Sequence, residues 1–365
     1  MTIQHIKIKK HRSRGKRLAI LIGVFLLLIF GTVKLGQRLW QSWGGSLSFD
    51  FTKAGAEADY NPFASVSNYP VVVMIDNSPE ARPWHAGLAA ALVVYETLAE
   101  GGSTRLEAVF AGAPQTDRVG PVRSARPYFV QVAAGWGAFY WHAGGSPEGL
   151  ALIKNLQNKK ELTDLNEISG YGPIYLWRDK FIAAPHNLFT SGIRIAKALA
   201  DFELKDLPTN KLIWRWDKNS DDKAVKKQAE KAAGLANNIE IIFSPGMVFN
   251  PSYIYDAEAK VYQRSLAKKP HQDYNTKEQF KAANVIIQKV PGEQALPSGY
   301  DRIDFAIVGE GEALYFRDGQ VFKGTWKKAA AASQTEWLLD NRPYILKPGQ
   351  TWVEIVPGER VVTYN

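Results

Sequence analysis

Five short stretches of the sequence set charged and polar side chains beside Gly or Pro, where a chain turns and side chains gather. MIDNSPEARP (74–83) carries Asp76, Asn77 and Arg82. VYETLAEGGSTR (94–105) carries Glu96, Glu100 and Arg105. RVGPVRSARPYF (118–129) sets Arg118, Arg123, Ser124 and Arg126 around a Pro turn. WHAGGSP (141–147) puts His142 ahead of a Gly-Gly loop and Ser146 at a helix start. RDKFIAAPHNLFTS (178–191) holds Arg178, Asp179, His186 and Asn187 before a Thr-Ser cap. Carboxylates such as Asp76, Glu96, Glu100 and Asp179 have the chemistry of an acid/base pair. His142 and His186 can shuttle protons. Arg123 and Arg126 can clamp a carboxylate or phosphate bidentately. The junctions at 142–147 and 186–191 point helix N-termini, which favour anions, at the same region. Each stretch also has a plain structural explanation. Asp and Asn form turns after strands, Glu96 and Arg105 suit a cross-strand pair, and Arg123 and Arg126 suit exposed first-turn charges.

The sequence lacks the familiar catalytic patterns: GxSxG, a Walker A loop, HExxH and GxGxxG. GEGE (309–312) reads as a turn between strands. Six histidines (5, 11, 85, 142, 186 and 271) show no i, i+4 pair, so neither a metal site nor a cofactor is expected. With no Cys there is no disulfide, thiolate zinc site, thiol nucleophile or lipidated cysteine.

These residues need elements to position them. PVVVMIDN (70–77) reads as a buried strand, and 91–102 with 104–112 as a strand pair. A helix is predicted over 124–136, a strand over 138–145, and a helix over 146–156 capped by Ser146 with Pro147 at its first position. Another helix is predicted over 190–202. The stretch 205–238 is charged and reads as a linker or insertion with a surface helix over 221–234. From 239 the chain is strand-rich: 239–245, 252–256, 260–266, 284–290, 303–309, 312–326 (with a hairpin turn at RDGQ, 317–320) and 351–357. The expected fold is α+β, with a mixed α/β first domain (68–204) and a smaller, mostly antiparallel β-rich second domain (239–365).

The 365 residues are 45% hydrophobic and 22% charged, which suits globular domains rather than disorder. The net charge of +9 is concentrated at the start. Residues 1–17 hold seven basic residues and no acid, leaving 9 − 7 = +2 for the rest. The body therefore carries no charge-based case for nucleic-acid binding. Leu18–Val33 is uncharged, and the apolar stretch extends to 36. That length suits a transmembrane anchor and exceeds the apolar core of a cleavable signal. The basic tail then stays in the cytoplasm, residues 37–67 form a tether, and the body lies outside the cell membrane on a single span.

The order of MIDNSPEARP, VYETLAEGGSTR, GPVRSARPYF, HAGGSP and APHNLFTS resembles the first domain of the bacterial YerB-like family of envelope proteins. KPHQDYNTKEQF (269–280), NVIIQKV (284–290), GTWKK (324–328) and KPGQTWVEIVP (347–357) are similar to its second domain. The resemblance covers 68–365 and implies a two-domain extracytoplasmic protein. Many relatives are lipoproteins held by a lipidated cysteine, whereas this chain has an apolar anchor and no Cys. The family supplies no agreed catalytic residues. Two functions follow as expectations. One is a binding module for an anionic envelope ligand such as a cell-wall glycan, or for an envelope protein. The other is a metal-independent cell-wall hydrolase or transferase using the carboxylates and His of the first domain.

Overall fold

The run PVVVMID has apolar side chains on both faces, so as a strand it needs cover on both sides. In the computed structural model, which describes residues 69–205, 212–217, 223–296 and 302–365, it is β1 (Pro70–Asp76), buried throughout. β2 (Val93–Leu98) and β3 (Thr104–Ala111) form the expected antiparallel pair, and β3 also pairs with β1. Helix α1 (Pro127–Gly135) leads to β4 (Phe139–His142), and α2 (Pro147–Asn158) leads to β5 (Thr163–Asn166). β1, β4 and β5 lie parallel, which requires crossovers such as α2. Ser146 caps α2 as its position predicts, its Oγ accepting from Gly149 N at 3.1 Å. A helical turn α3 (Gly172–Tyr175), a small hairpin β6 (Trp177–Arg178) and β7 (Leu188–Phe189), and helix α4 (Gly192–Asp201), capped by Ser191, complete this part.

In the charged 205–238 stretch, α5 (Lys223–Ala229) is the expected surface helix. Trp214 and Trp216 are nonetheless buried, and Gln228 bonds the backbone of Ile345 through both ends of its amide. This part is packed down rather than a free connector. Among the described residues, the remaining strands of three or more residues are β8 (Asn238–Ile241), β9 (Pro251–Asp256), β10 (Val261–Leu266), β11 (Asn284–Val290), β12 (Gly309–Arg317), β13 (Gln320–Lys328), β14 (Glu336–Leu339), β15 (Thr351–Pro357) and β16 (Val362–Tyr364). β12 and β13 meet at Asp318-Gly319, both at positive φ (51° and 73°), as a tight hairpin turn requires. The strand expected over 303–309 is only Ile303–Asp304. The chain leaves strand geometry over 305–308 before β12 begins at Gly309.

A mixed α/β first part and a β-rich second part are therefore present. They share one sheet. Ten of its strands run β14-β13-β12-β11-β15-β2-β3-β1-β4-β5, and the seam is the parallel pairing of β2 with β15, Val93–Glu96 against Thr351–Glu354. α1 and α2 cover one face through Tyr128, Phe129, Ile153 and Leu156. On the other face lie α4 and a smaller sheet, ordered β10-β9-β8-β16 along its main path. The expected tail, anchor and tether (1–67) lie outside the described residues. Among the described residues no helix is long and apolar enough to cross a membrane.

Candidate functional site

β1 and β4 run in the same direction and end at one edge of the sheet, with Asp76 and His142 as their last residues. Loops beyond such carboxyl ends are where α/β sheets place ligands. Asp76 is the centre of a cluster there. Its Oδ1 accepts from Ser78 N at 3.0 Å, and its Oδ2 lies 2.7 Å from His186 Nδ1 and 3.3 Å from Arg123 Nε. Burial alone would raise the Asp76 carboxyl. The Ser78 N–H, Arg123 and His186 together hold it below the ordinary carboxylate range, so it stays ionised. An ionised carboxylate against Nδ1 fixes the His186 tautomer, with the proton on Nδ1 and the lone pair on Nε2. Ser78 Oγ is also 3.0 Å from Nδ1. Hydroxyl and carboxylate thus share one nitrogen, which is not the arrangement of a Ser-His-Asp triad, where they occupy opposite nitrogens. Nε2 has no partner among the described residues, and neither do the two terminal nitrogens of Arg123. The His186 and Arg123 side chains are 16% and 28% exposed.

The other predicted residues fall into separate groups around this cluster. Arg178 grips both oxygens of Glu167 and the Asn187 Oδ1, while Asp179 pairs with Arg118 at 2.8 Å. Glu100 is bound by Arg105 and Arg126, and Arg105 also donates to the carbonyl of Ser124. Burial would raise Glu100, but the two guanidinium groups hold it below its ordinary range. Arg126 is therefore committed to Glu100 and its own chain, leaving Arg123 as the outward-facing arginine of the pair. His142 is buried, with Nδ1 on Gly144 O (2.7 Å) and Nε2 on Asp164 Oδ1 (2.6 Å), so neither nitrogen is open to a substrate. Ser146 is engaged as a helix cap. Arg82 donates from Nε to Asn77 O.

Glu96 lies in the interior. Its Oε1 accepts from Asn77 (2.9 Å) and Thr104 (2.6 Å), and its Oε2 pairs with Arg264. Directly across the seam is Glu354, also fully buried. Burial, then the Glu96 charge, pushes Glu354 well above the carboxylate range, so it keeps its proton and takes a hydrogen bond from Tyr253. Arg264 also donates to Tyr253 OH and to His271 Nδ1. The His271 proton then sits on Nε2, 2.7 Å from His85 Nδ1, and His85 Nε2 donates to the Asp76 carbonyl at 2.6 Å. Burial holds both imidazoles neutral, His85 down to about 4. The network joins one carboxylate, one guanidinium and four neutral side chains: Glu354, Tyr253, His271 and His85.

Sequence reasoning missed Arg264, Glu354, Tyr253, His85 and His271 as partners. The usable signal was a polar residue on the inward phase of an alternating strand, such as Arg264 in VYQRSL. The four carboxylates offered as an acid/base pair each have separate partners: Arg264, Arg105 with Arg126, Arg123 with the Nδ1–H of His186, and Arg118. Among the described residues no three His, Asp or Glu are grouped to hold a metal ion.

Residues 60–205 match a family model described as the N-terminal domain of "Protein of unknown function (DUF3048)", and residues 239–353 match its C-terminal domain. A relative from Bacillus subtilis (strain 168), described as "Putative lipoprotein YerB", is 33% identical over 79% of this chain and 81% of its own. The crystal structure of YerB protein from Bacillus subtilis superposes with a TM-score of 0.67 at 28% identity, covering 82% of this chain and 95% of that one. Two of the quoted second-domain stretches bond to the first part of the chain. KPHQDYNTKEQF supplies His271 and sets Asp273 on Ala89 N, while KPGQTWVEIVP supplies Gln350, which bonds the Leu88 and Ala91 carbonyls.

Proposed function

The chain belongs to the DUF3048 family of YerB-like proteins, and from that premise we propose that it is a membrane-tethered, extracytoplasmic binding protein for an anionic envelope ligand. The tether reading rests on the basic tail and apolar stretch of residues 1–36, and on a relative described as a lipoprotein. The binding reading rests on one observation. Asp76 uses its charge to orient Arg123 and His186, leaving the fork of Arg123 and Nε2 of His186 outward and unpartnered. A fork of N–H donors suits a carboxylate or phosphate, and a protonated imidazole would add a second charge-assisted donor.

The same observation supports a second reading, a metal-independent hydrolase or transferase. An imidazole held at Nδ1 by a carboxylate offers Nε2 as a general base. One experiment addresses both. The full chain in detergent is incubated with purified cell-wall sacculi, beside Arg123→Gln and His186→Gln, and released wall fragments are measured in the same tubes. Binding lost in both variants without digestion is the expected result. Digestion that fails in His186→Gln would favour the enzyme, and equal retention of all three proteins would overturn the binding site.

A further inference from the structure

Five of the twelve exposed large hydrophobic side chains among the described residues fall within 168–193: Ile168, Tyr171, Ile174, Phe181 and Ile193. Exposed apolar groups concentrated in one region mark an interaction surface. Contacts tie this stretch to the Asp76 cluster. Ile168 lies beside Gly144, and Ala143 N bonds the carbonyl of Arg123. Glu167, next to Ile168, is gripped by Arg178, which reaches the neighbour of His186, Asn187. Phe181, 86% exposed, is on the hairpin loop that carries His186. Arg194 donates to the Ile174 carbonyl and adjoins Ile193.

Two features define what suits this surface. Three of the five side chains are isoleucines, which favour hydrocarbon and lack the flat ring face on which sugars stack. The acids nearby are engaged by cations: Glu167 by Arg178, Asp179 by Arg118 and Asp201 by Lys197. Lys180 and Arg194 add positive charge over the Phe181 and Trp177 rings. An apolar surface with a basic character beside an open arginine fork fits an anionic amphiphile.

We infer that the ligand of the Asp76 cluster is an alkyl phosphate, its phosphoryl oxygens on Arg123 and His186 and its hydrocarbon chain over Ile168, Ile174 and Phe181. A phosphate monoester has three free oxygens: two accept from the Arg123 fork, and the third, carrying the proton of the monoanion, donates to the lone pair on Nε2 of His186. The inference rests on the anion-binding reading above and deepens it.

The test uses the full chain in nanodiscs of phosphatidylcholine with a dodecyl monophosphate bearing a terminal diazirine. After irradiation, labelled peptides are mapped by mass spectrometry. Labels are expected on peptides spanning 168–193, falling about tenfold or more in Arg123→Gln and in the double variant Ile168→Ser/Phe181→Ser. The serines replace exposed side chains, and unchanged thermal melts will show that the fold is kept. Binding of inorganic phosphate, read as ³¹P line broadening, separates the two ways of failing. Phosphate bound by the wild type and by the double-serine variant, with no label on 168–193, overturns the amphiphile and leaves the anion site. Absence of phosphate binding overturns both. Equal labelling of 168–193 by a dodecyl trimethylammonium probe overturns the phosphoryl assignment. Replacing phosphatidylcholine with phosphatidylglycerol identifies the source. Retained label supports the monoester, and loss of label, which means competition by a diester headgroup with only two free oxygens, overturns the three-oxygen assignment.

Discussion

Inside the sheet, Glu96, Glu354, Arg264, His271 and His85 form a sealed network; at its edge, Asp76, His186 and Arg123 form an open one. The residue types are nearly the same, and the two networks meet at Asp76. Its carbonyl ends the interior chain of hydrogen bonds, and its carboxylate anchors the edge cluster. Most of the interior polar atoms are spent on one another across the seam between β2 and β15, so that network ties the two parts of the chain together. The edge cluster keeps donors and a lone pair in reserve. Spare hydrogen-bonding capacity beside solvent, rather than the presence of charged residues, distinguishes a candidate site from a structural polar core.

The largest expected effect breaks the interior. Arg264→Leu leaves Glu96 buried without its cation, and such losses amount to about 3–5 kcal/mol, a large part of a typical domain's stability. Urea unfolding will read this directly. Arg123→Gln at the edge should change stability by about 1 kcal/mol or less, because its ion pair is partly exposed. A comparable loss in both variants would erase the distinction.

The interior also sets a pH signature. His85 titrates near 4 when folded and near its ordinary 6.5 when unfolded. Its contribution is therefore complete above 6.5 and is lost as pH falls toward 4, by about 3 kcal/mol. Glu354, and the buried Glu107 on the opposite face of the sheet, are raised by burial. Their contributions are complete below the ordinary 4.5 and decline as pH rises, each by about 1.4 kcal/mol per pH unit. Between 4.5 and 6.5 the histidine and glutamate trends oppose each other. Glu107→Gln should flatten the alkaline side of the stability curve, and His85→Gln the acid side. Unfolding midpoints from pH 4 to 9 will check this.

A further expectation concerns a residue that sequence alone grouped with the site. Ser146→Ala removes the α2 cap and should cost about 1 kcal/mol with no change in phosphate binding. A binding defect would return Ser146 to the site.

Much of this was legible in the sequence. Local patterns marked β1, the β2–β3 pair, the caps of α2 and α4, and the Asp318-Gly319 turn, because each depends on neighbours in the chain. Asp76, Arg123 and His186 stood among the marked residues. Their grouping did not, since it requires β1, the Pro121 loop and the β6–β7 hairpin to converge. The fate of Glu96 was hidden for the same reason: its cation is 168 residues away. The commitment of Arg126 to Glu100, and of His142 to Asp164, likewise depends on contacts that no local pattern encodes.

The central claim is that Asp76 fixes His186 with Nε2 open for a ligand. A long-range ¹H–¹⁵N spectrum of His186 at pH ~8, where an ordinary imidazole is neutral, tests it most directly. The account predicts a proton on Nδ1 and an unprotonated Nε2 whose resonance moves when inorganic phosphate is added, and does not move in Arg123→Gln. A proton on Nε2, or an Nε2 resonance unchanged by phosphate in the wild type, would contradict it.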